Sequence, residues 1–167
     1  MIKQFFIFSL LLCLSTFSQA GELKAFNGKG AHPPLILQDL HGKSHDLNDY
    51  KGKVVLVQFW ATYCGPCRQE MPTMNKMRKE MGDVPFKILA IDMGETRAEV
   101  EQFVSEVKPE FTILLDEEGK SITDWQVFAV PSNFIIDPQG KIRYTLFGGV
   151  DWDDKTLINK IKALAKE

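Results

Sequence analysis

Hydrophobic and polar residues follow one another along this chain in patterns that predict strands and helices in alternation. Lys53 to Trp60 is a nearly continuous apolar run, which is typical of a central strand covered on both faces. Phe86 to Asp92 and Thr112 to Leu115 predict two further strands, and Thr96 is suited to cap a helix between them that ends at Val107. This order predicts an α/β sandwich that begins with parallel strands.

The rest of the chain predicts two hairpins and three more helices. Leu35 to Leu47 contains two short apolar stretches around a turn, which indicates a small N-terminal hairpin. Apolar residues at helical spacing predict helices over Pro66 to Met81, Ser121 to Phe128 and Asp153 to Lys166. Asn133 to Ile136 and Lys141 to Phe147, joined by an Asp-Pro-Gln-Gly turn, predict an antiparallel hairpin near the C-terminus.

The N-terminal segment, residues 1–20, has the features of an export signal. Lys3 supplies a positive charge, Phe5 to Phe17 is almost entirely apolar, and Ser18 and Ala20 are small residues at the positions that a signal peptidase reads. We therefore expect residues 1–20 to be a signal peptide cleaved after Ala20, and the protein to be periplasmic or otherwise extracytoplasmic. An uncleaved membrane anchor is the alternative.

Behind the signal, the chain is predicted to carry a short leader and one domain. Gly21 to Pro34 is rich in Gly and Pro, which indicates a flexible leader over residues 21–34 before a domain over residues 35–167. With 44% hydrophobic and 25% charged residues, the composition is that of an ordinary globular protein. The 20 basic and 22 acidic residues give a net charge of -2, so nucleic-acid binding is not expected.

Two cysteines three positions apart supply the candidate chemistry. Cys64-Gly65-Pro66-Cys67 follows the predicted central strand and opens a predicted helix, which places Cys64 at a helix N-terminus. Unpaired backbone N–H groups and the helix dipole stabilise a thiolate there, and Pro66 suits a first helical turn because its missing N–H costs nothing. We expect Cys64 to attack a substrate disulfide and Cys67 to resolve the mixed disulfide.

Two other roles for the cysteine pair compete with this redox couple. A structural disulfide would close a loop of four residues and remove only about 1.9 kcal/mol of unfolded-chain entropy. A zinc site needs four ligands, but the chain has no second cysteine pair, and its histidines, His32, His41 and His45, lie in the leader and the first hairpin. The redox couple is the preferred interpretation, and neither a metal nor another cofactor is expected.

Two longer strings of residues resemble a known family. Trp60 to Pro72 reads WATYCGPCRQEMP and Ala129 to Gly140 reads AVPSNFIIDPQG. Together they resemble the thioredoxin superfamily, and more closely its exported TlpA/ResA-type thiol-disulfide oxidoreductases, from about Leu35 to the C-terminus. The resemblance implies a thioredoxin-like three-layer α/β sandwich, whose mixed central sheet carries an N-terminal hairpin and an inserted helix and strand.

The same resemblance implies which residues surround the cysteine pair. Pro131 is expected to be a cis-proline facing the pair, and the backbone of Val130 before it is expected to hydrogen-bond to the substrate chain. The other residues expected to contact substrate are Trp60, Tyr63, Gly65 and Pro66. Trp60 and Tyr63 would shape the rim of the site, with packing in the core as the alternative for Trp60.

Proton transfer in the site is expected to differ from that of cytoplasmic thioredoxins. Those proteins usually have a buried aspartate in the strand before the cysteine motif, whereas the aligned residue here is Gln58, which cannot titrate. Glu70, one helical turn after Cys67, matches a glutamate of the ResA-like branch and would exchange protons with the catalytic cysteines if it is partly buried. The alternative is a solvated carboxylate beside Arg68.

The function expected from these features is reduction of protein disulfides outside the cytoplasm. An oxidising compartment has no thiol buffer, so a reductase there needs a source of electrons. The family resemblance implies that this source is a membrane thiol-disulfide electron donor. The expected substrates are cysteine-containing exported proteins, including apocytochrome c, and the protein is expected to be a monomer. A disulfide oxidase or isomerase is the alternative among enzymes. A copper-handling binding protein with a thioredoxin fold is the alternative from another class. Such proteins have Cys-x-x-x-Cys and a distant histidine, whereas this chain has two residues between its cysteines and no histidine after His45.

Overall fold

A computed structural model describes residues 22–28 and 30–167, so the predicted signal peptide lies outside the described residues. The strands are β1 (Lys24–Ala25), β2 (Ile36–Asp39), β3 (Ser44–Asp46), β4 (Val54–Trp60), β5 (Phe86–Asp92), β6 (Thr112–Leu115), β7 (Ser132–Ile136) and β8 (Ile142–Phe147). The α-helices are α1 (Gly65–Met81), α2 (Arg97–Val107), α3 (Lys120–Asp124) and α4 (Lys155–Ala163). Short 3-10 helices span Leu47–Tyr50 and Leu164–Lys166.

The strands form one mixed sheet in the order β1-β8-β7-β4-β5-β6-β2-β3. β4, β5 and β6 run parallel to one another, whereas β7 is antiparallel to β4 and β8 is antiparallel to β7. α1, α2 and α4 pack on one face of the sheet. Trp125 and Val127, directly after α3, pack on the other face together with Leu35 and Leu47, which flank the N-terminal hairpin. The prediction of a three-layer α/β sandwich with a C-terminal antiparallel hairpin is therefore confirmed.

β4 is the central strand that carries the cysteine motif at its end. All of its residues are buried, because core side chains cover both of its faces. Val55 and Val57 face one core cluster, and Val54 and Leu56 face the other. This burial on both sides explains the unbroken apolar run in the sequence, and it gives the motif after Trp60 a rigid support.

α1 buries a stripe of methionines. Met71, Met74 and Met77 are each 0% exposed and Met81 is 2% exposed, and they pack against the sheet and its neighbouring helices. Flexible thioether side chains fill the core on this face. α1 is 17 residues long, and among the described residues no helix is both long and apolar enough to cross a membrane.

The helix predicted over Ser121 to Phe128 is shorter in the structure. α3 ends at Asp124, and Gln126 has a left-handed backbone with φ of 52°. Trp125 and Val127 are both buried, at 4% and 6% exposure. Residues two positions apart point to different sides of a helix, so the chain leaves the helical path for both side chains to reach the core.

The segment predicted as a flexible leader contributes to the sheet where the structure describes it. Lys24 and Ala25 form β1, which pairs antiparallel with Thr145 and Tyr144 of β8. Further along, Ala31 makes an isolated antiparallel bridge. The sequence does not predict this pairing, because a two-residue strand whose partner lies far along the chain leaves no local pattern.

Replacing Met77 by Ala should lower the free energy of unfolding by about 2–5 kcal/mol, because the buried side chain leaves a cavity. Met77→Leu keeps the volume and should cost less than about 1.5 kcal/mol. Urea denaturation measures both changes, with Lys76→Ala at a neighbouring position outside the core as the control. Equal losses from the two Met77 variants would contradict a packing role for this stripe.

Candidate active site

The two cysteines form a disulfide at the start of α1. Their Cα atoms are 5.3 Å apart, and the structure therefore shows the oxidised form of the pair. Cys64 is the N-cap residue of α1, and the backbone N–H of Cys67 donates to the Cys64 Sγ at 3.2 Å. This is the position that the sequence predicts, where helix N–H groups and the helix dipole favour a thiolate.

The two sulfurs differ in access to solvent. Cys64 is 7% exposed, whereas Cys67 is 0% exposed. Gly65 and Pro66, between them, are exposed and form the surface next to Cys64. A substrate therefore reaches Cys64 first, and Cys67 is placed to react only with a group already bonded to Cys64.

The Val130–Pro131 peptide bond is cis, as the family resemblance implies. Pro131 is buried directly before β7, and its carbonyl accepts a hydrogen bond from the Gly148 N–H at 3.0 Å. The side chain of Val130 packs against the core cluster that contains Cys64 and Cys67. The fold thus brings the second sequence motif to the cysteine pair.

Large exposed apolar side chains border these two motifs. Tyr63, directly before Cys64, is 75% exposed, as expected for a rim residue. Phe128 is 93% exposed and lies two positions before Val130, and Phe147 is 58% exposed and pairs in register with Ser132. Sequence analysis missed both phenylalanines, since an apolar residue beside a strand end is normally assigned to the core.

Trp60 belongs to the core and not to the rim. It is 0% exposed, and its ring centroid lies 4.8 Å from that of Phe103 on α2. A side chain in this position has no surface to offer a substrate. The structure therefore corrects the expectation of substrate contact, and the alternative of core packing describes Trp60.

Glu70 lies on α1 three residues after Cys67, and it is buried. It is 2% exposed, and both of its carboxyl oxygens accept hydrogen bonds: Oε1 from the Val150 N–H at 2.8 Å and Oε2 from the Gln58 Nε2 at 2.6 Å. The solvated alternative is therefore wrong. Arg68 is turned away, to Glu106 at 3.2 Å.

Burial raises the pKa of Glu70 from 4.5 to about 8, and the neighbouring donors of Val150, the Trp152 side chain and Gln58 offset only part of this effect. No salt bridge to Glu70 is formed by any side chain that the structure describes. A carboxyl group with this pKa exchanges its proton near neutral pH, as an acid–base group for thiols must.

A loop after β8, residues 148–152, joins the parts of the site. Besides the bonds to Pro131 and Glu70, the Trp152 N–H donates to the Thr73 Oγ1 at 3.0 Å. Gly149 lies against Pro66, since a Cβ atom built on it would be 3.2 Å from the Pro66 Cβ. Sequence analysis did not single out this loop, although its Gly-Gly pair is a turn signal.

Two further carboxyl groups, those of Glu95 and Asp92, support the chain just before Cys64. The Glu95 carboxylate accepts from the Thr62 backbone N–H at 2.6 Å and from the Thr62 hydroxyl at 2.5 Å. The Glu95 N–H in turn donates to Asp92, which is 0% exposed. Burial raises the pKa of Asp92, and the neighbouring Glu95 carboxylate adds to the effect. An aspartate at the end of an apolar strand was the available signal for this pair.

His45 and His32 make their contacts elsewhere in the fold. His45 lies within hydrogen-bond distance of the Tyr50 hydroxyl, at 2.6 Å, and of Asp39, at 2.9 Å. His32 stacks on Trp125. Over residues 22–28 and 30–167, no three side chains of His, Cys, Asp or Glu converge in a way that suits a metal ion.

Comparison with known proteins places this site in a family. The profile of the AhpC/TSA family matches residues 29–145. Thiol-disulfide oxidoreductase ResA of Geobacillus thermodenitrificans is 35% identical over 122 residues, which are 73% of this chain and 70% of that protein. The protein of the same name from Bacillus subtilis is 33% identical over 123 residues, which are 74% of this chain and 68% of its own length.

Solved structures share the architecture. A Chlorobium tepidum protein provisionally named thiol:disulfide interchange protein DsbE superposes with a TM-score of 0.76 and 32% identity, over 83% of this chain and 98% of that one. A Bacteroides thetaiotaomicron protein provisionally named protein disulfide isomerase has a TM-score of 0.71 and 26% identity, over 89% and 95% of the two chains. With the buried cysteine pair at a helix N-terminus, these relationships show that the chain belongs to the AhpC/TSA family and is a ResA-like thiol-disulfide oxidoreductase with the thioredoxin fold.

Proposed function

We propose that this oxidoreductase reduces protein disulfides outside the cytoplasm. The observation that carries the proposal is the setting of the cysteine pair, with Cys64 at the N-terminus of α1 and Cys67 buried behind it. Pro66, between them, has no hydrogen-bond donor for the Cys64 thiolate, so the reduced form is stabilised only moderately. A reduced pair of this kind passes its electrons on readily.

Both electrons of the reaction come from the reduced pair. The Cys64 thiolate attacks one sulfur of the substrate disulfide, so a Cys64–substrate bond forms, the substrate S–S bond breaks and the other substrate sulfur leaves as a thiolate. Cys67 then loses its proton and attacks the Cys64 sulfur, which closes the protein disulfide and releases the second substrate sulfur. The pair is oxidised by two electrons, and the substrate ends as two thiols.

Glu70 is the candidate base for the second step. Because Cys67 is 0% exposed, solvent water does not reach its thiol, and a protein group must accept the proton. Glu70 follows Cys67 by three positions on α1, and residues three positions apart on a helix are neighbours. Ionised Glu70 takes the proton of the Cys67 thiol and returns it to a departing substrate thiolate. A pKa of about 8 is close to the operating pH, which is favourable for transfer in both directions.

The substrate is an extended cysteine-bearing segment of another protein. The backbone of Val130, before the cis-proline, pairs with that segment in the manner of an added strand. Tyr63, Phe128 and Phe147 offer exposed aromatic surface beside the two motifs. Gly65 and Pro66 keep the surface next to Cys64 low and free of charge.

Location and partners follow from the N-terminal segment. The charge, apolar run and small residues of residues 1–20 support export, with the uncleaved anchor as the alternative. In an oxidising compartment, the cysteine pair of a reductase must be reduced again after each reaction, so a membrane thiol-disulfide protein is the proposed electron donor. Exported proteins with oxidised cysteine pairs, apocytochrome c among them, are the proposed substrates, and the protein acts as a monomer.

An isomerase is the second candidate, since the relative from Bacteroides thetaiotaomicron carries that name. An isomerase uses the same attack by Cys64 but releases a rearranged substrate without oxidising the pair. Copper handling is disfavoured, because two residues separate the cysteines and the last histidine, His45, is held by Tyr50 and Asp39.

Cys67→Ser should accumulate mixed disulfides with substrate proteins, because the buried thiol that resolves them is lost. Cys64→Ser should accumulate far fewer, because the remaining Cys67 is 0% exposed. Non-reducing electrophoresis after incubation with a disulfide-bonded protein measures the yield. The third cysteine, Cys13 in the predicted signal peptide, is replaced by Ser in every variant, and the variant that lacks both Cys64 and Cys67 is the control. Equal yields from the two single variants would contradict Cys64 as the attacking thiol.

Glu70→Gln should speed alkylation of the reduced pair at pH values above 8. Ionised Glu70 places a negative charge beside the thiols and opposes thiolate formation, whereas Gln stays neutral. Alkylation rates from pH 5 to 10 measure the effect, and Glu106→Gln, at an exposed position, is the control. An unchanged pH profile would remove Glu70 from the proton chemistry.

The same substitution should change how stability depends on pH. The pKa of Glu70 is raised from 4.5 to about 8, so its contribution to stability is present below pH 4.5 and is lost as the pH rises through 8. The oxidised wild type should therefore lose a few kcal/mol relative to Glu70→Gln over this range, at about 1.4 kcal/mol for each pH unit at most. Denaturation curves at pH 5 and pH 8 measure the difference.

The Cys64–Cys67 couple should have a reduction potential nearer the thioredoxin value of about -270 mV than the oxidant value of about -120 mV. Strong oxidants stabilise their thiolate, often with a histidine inside the motif, and Pro66 cannot do so. Equilibration with glutathione or dithiothreitol mixtures measures the midpoint. A value above about -160 mV would favour an oxidase over the proposed reductase.

A further inference from the structure

The amide of Gln58 is only half satisfied where it meets Glu70. Gln58 is 0% exposed, and its Nε2 donates to the Glu70 Oε2 at 2.6 Å. Its Oε1 is buried and has no hydrogen-bond partner among the described residues. An amide oxygen buried without a partner costs about 1–3 kcal/mol. An orientation of the Gln58 amide that gives this oxygen a donor would therefore be favourable.

The contacts of Glu70 suit only its ionised form. Its two oxygens accept from the Val150 N–H and from the Gln58 Nε2, and each of these groups is a donor. A protonated carboxyl must donate as well as accept. Because burial raises the pKa of Glu70 to about 8, the protonated form is the major one at neutral pH, and it needs an acceptor.

Asn133 supplies the other half of a second arrangement. It lies directly opposite Gln58 in the antiparallel pairing of β4 with β7, so the two side chains share one face of the sheet. Asn133 is 0% exposed, its Nδ2 donates to the Leu146 carbonyl at 3.3 Å, and its Oδ1 has no partner among residues 22–28 and 30–167. A donor placed between the strands would therefore find an acceptor there.

We propose that the Gln58 amide turns by half a rotation when Glu70 changes its protonation state. In one orientation the Nε2 donates to the Glu70 carboxylate, as the structure shows. In the other, the Gln58 Oε1 accepts the Glu70 O–H and the Nε2 donates to the Asn133 Oδ1. One rotation about a side-chain bond thus satisfies two buried oxygens and matches Glu70 with and without its proton.

Gln58 and Asn133 are then positioning residues that act through Glu70. They let a buried carboxyl hold a proton between the two steps of thiol–disulfide exchange without a neighbouring charge. This use rests on the proposed function, but the rotation itself is a property of the oxidised protein without substrate.

The charged groups around this cluster do not take part. Cys64 and Cys67 are joined in the oxidised protein and do not titrate. The ionisable side chains on the surrounding elements are engaged elsewhere or exposed: Arg68 with Glu106, Lys76 with Asp153, Lys155 with Glu80, Asp92 beside Glu95, and Asp151 in solvent. Burial also raises the pKa of Asp92, so the pH response of Glu70 is read from the resonance of Glu70 itself.

The test measures the midpoint of the Glu70 titration in the oxidised protein from the ¹³C resonance of the Glu70 side-chain carboxyl. That resonance is assigned by its loss in Glu70→Gln. Asn133→Leu has a similar shape but removes the acceptor of the rotated amide. It should lower the midpoint by about 0.5–1 unit, a three- to tenfold loss of proton affinity, which is the net worth of one hydrogen bond. An added apolar side chain alone would raise the midpoint, so a midpoint that rises or stays unchanged overturns the proposal.

A double-mutant cycle with Gln58→Met shows whether Asn133 acts through Gln58. In the Gln58→Met background no amide remains to rotate, so Asn133→Leu should no longer lower the midpoint. The same lowering in both backgrounds overturns the proposal. In the wild type, contacts of the Gln58 amide protons seen by NMR should move from Glu70 above the midpoint to Asn133 below it, and one unchanged contact pattern at both pH values also overturns it.

These measurements separate the inference from the proposed function. They use no thiol, substrate or electron donor, so loss of reductase activity leaves their result unaffected. Conversely, a static Gln58 amide in a protein that still traps substrates through Cys64 would overturn the rotation alone.

Discussion

The N-terminus of α1 has backbone N–H groups that find no acceptor within the helix, and Cys64 lies at that point. The sulfur accepts one of these groups, from Cys67, and the dipole of a 17-residue helix favours negative charge on it. The rest of the molecule serves to keep this helix start in place. β4, the buried central strand, ends just before the start of α1, and the methionines of α1 pack in the same core as β4.

Three separate segments converge on this helix start. Val130, before the cis-proline, packs on the cluster that contains both cysteines. Glu95 holds Thr62 two residues before Cys64, and the 148–152 loop packs on Pro66 and covers Glu70. Each contact is a hydrogen bond or close packing onto a rigid element. The reactive sulfur is therefore presented on a surface whose backbone is held from several sides, which is what attack along a defined line requires.

Burial beside the cysteine pair is what gives the site acid–base groups near neutral pH. Glu70 is enclosed by uncharged partners, so its shift comes from lost hydration and not from an ion pair. Cytoplasmic thioredoxins usually have a buried aspartate in the strand before the cysteine motif, and Gln58 lies at the aligned position here. Gln58 donates a hydrogen bond to the buried Glu70 carboxyl. A neutral amide beside a carboxyl keeps the number of buried charges at one or none, since unpaired buried charges are expensive.

Local pattern determined much of this protein by itself. The two-faced apolar run of β4, the strand at Phe86–Asp92, the capping residue Thr96 and the cysteine pair at a helix start all depend on neighbouring residues, and the structure places them as predicted. Glu70 was singled out by its one-turn spacing from Cys67 and by the family resemblance, but its burial was left open. Only the tertiary structure decided that Glu70 is covered by the Val150 loop, that Trp60 lies in the core, that Lys24–Ala25 joins β8, and that Asn133 stands opposite Gln58. Each of these depends on residues distant in the chain, whose meeting is set by the packing of the whole sheet and leaves no mark on the local sequence.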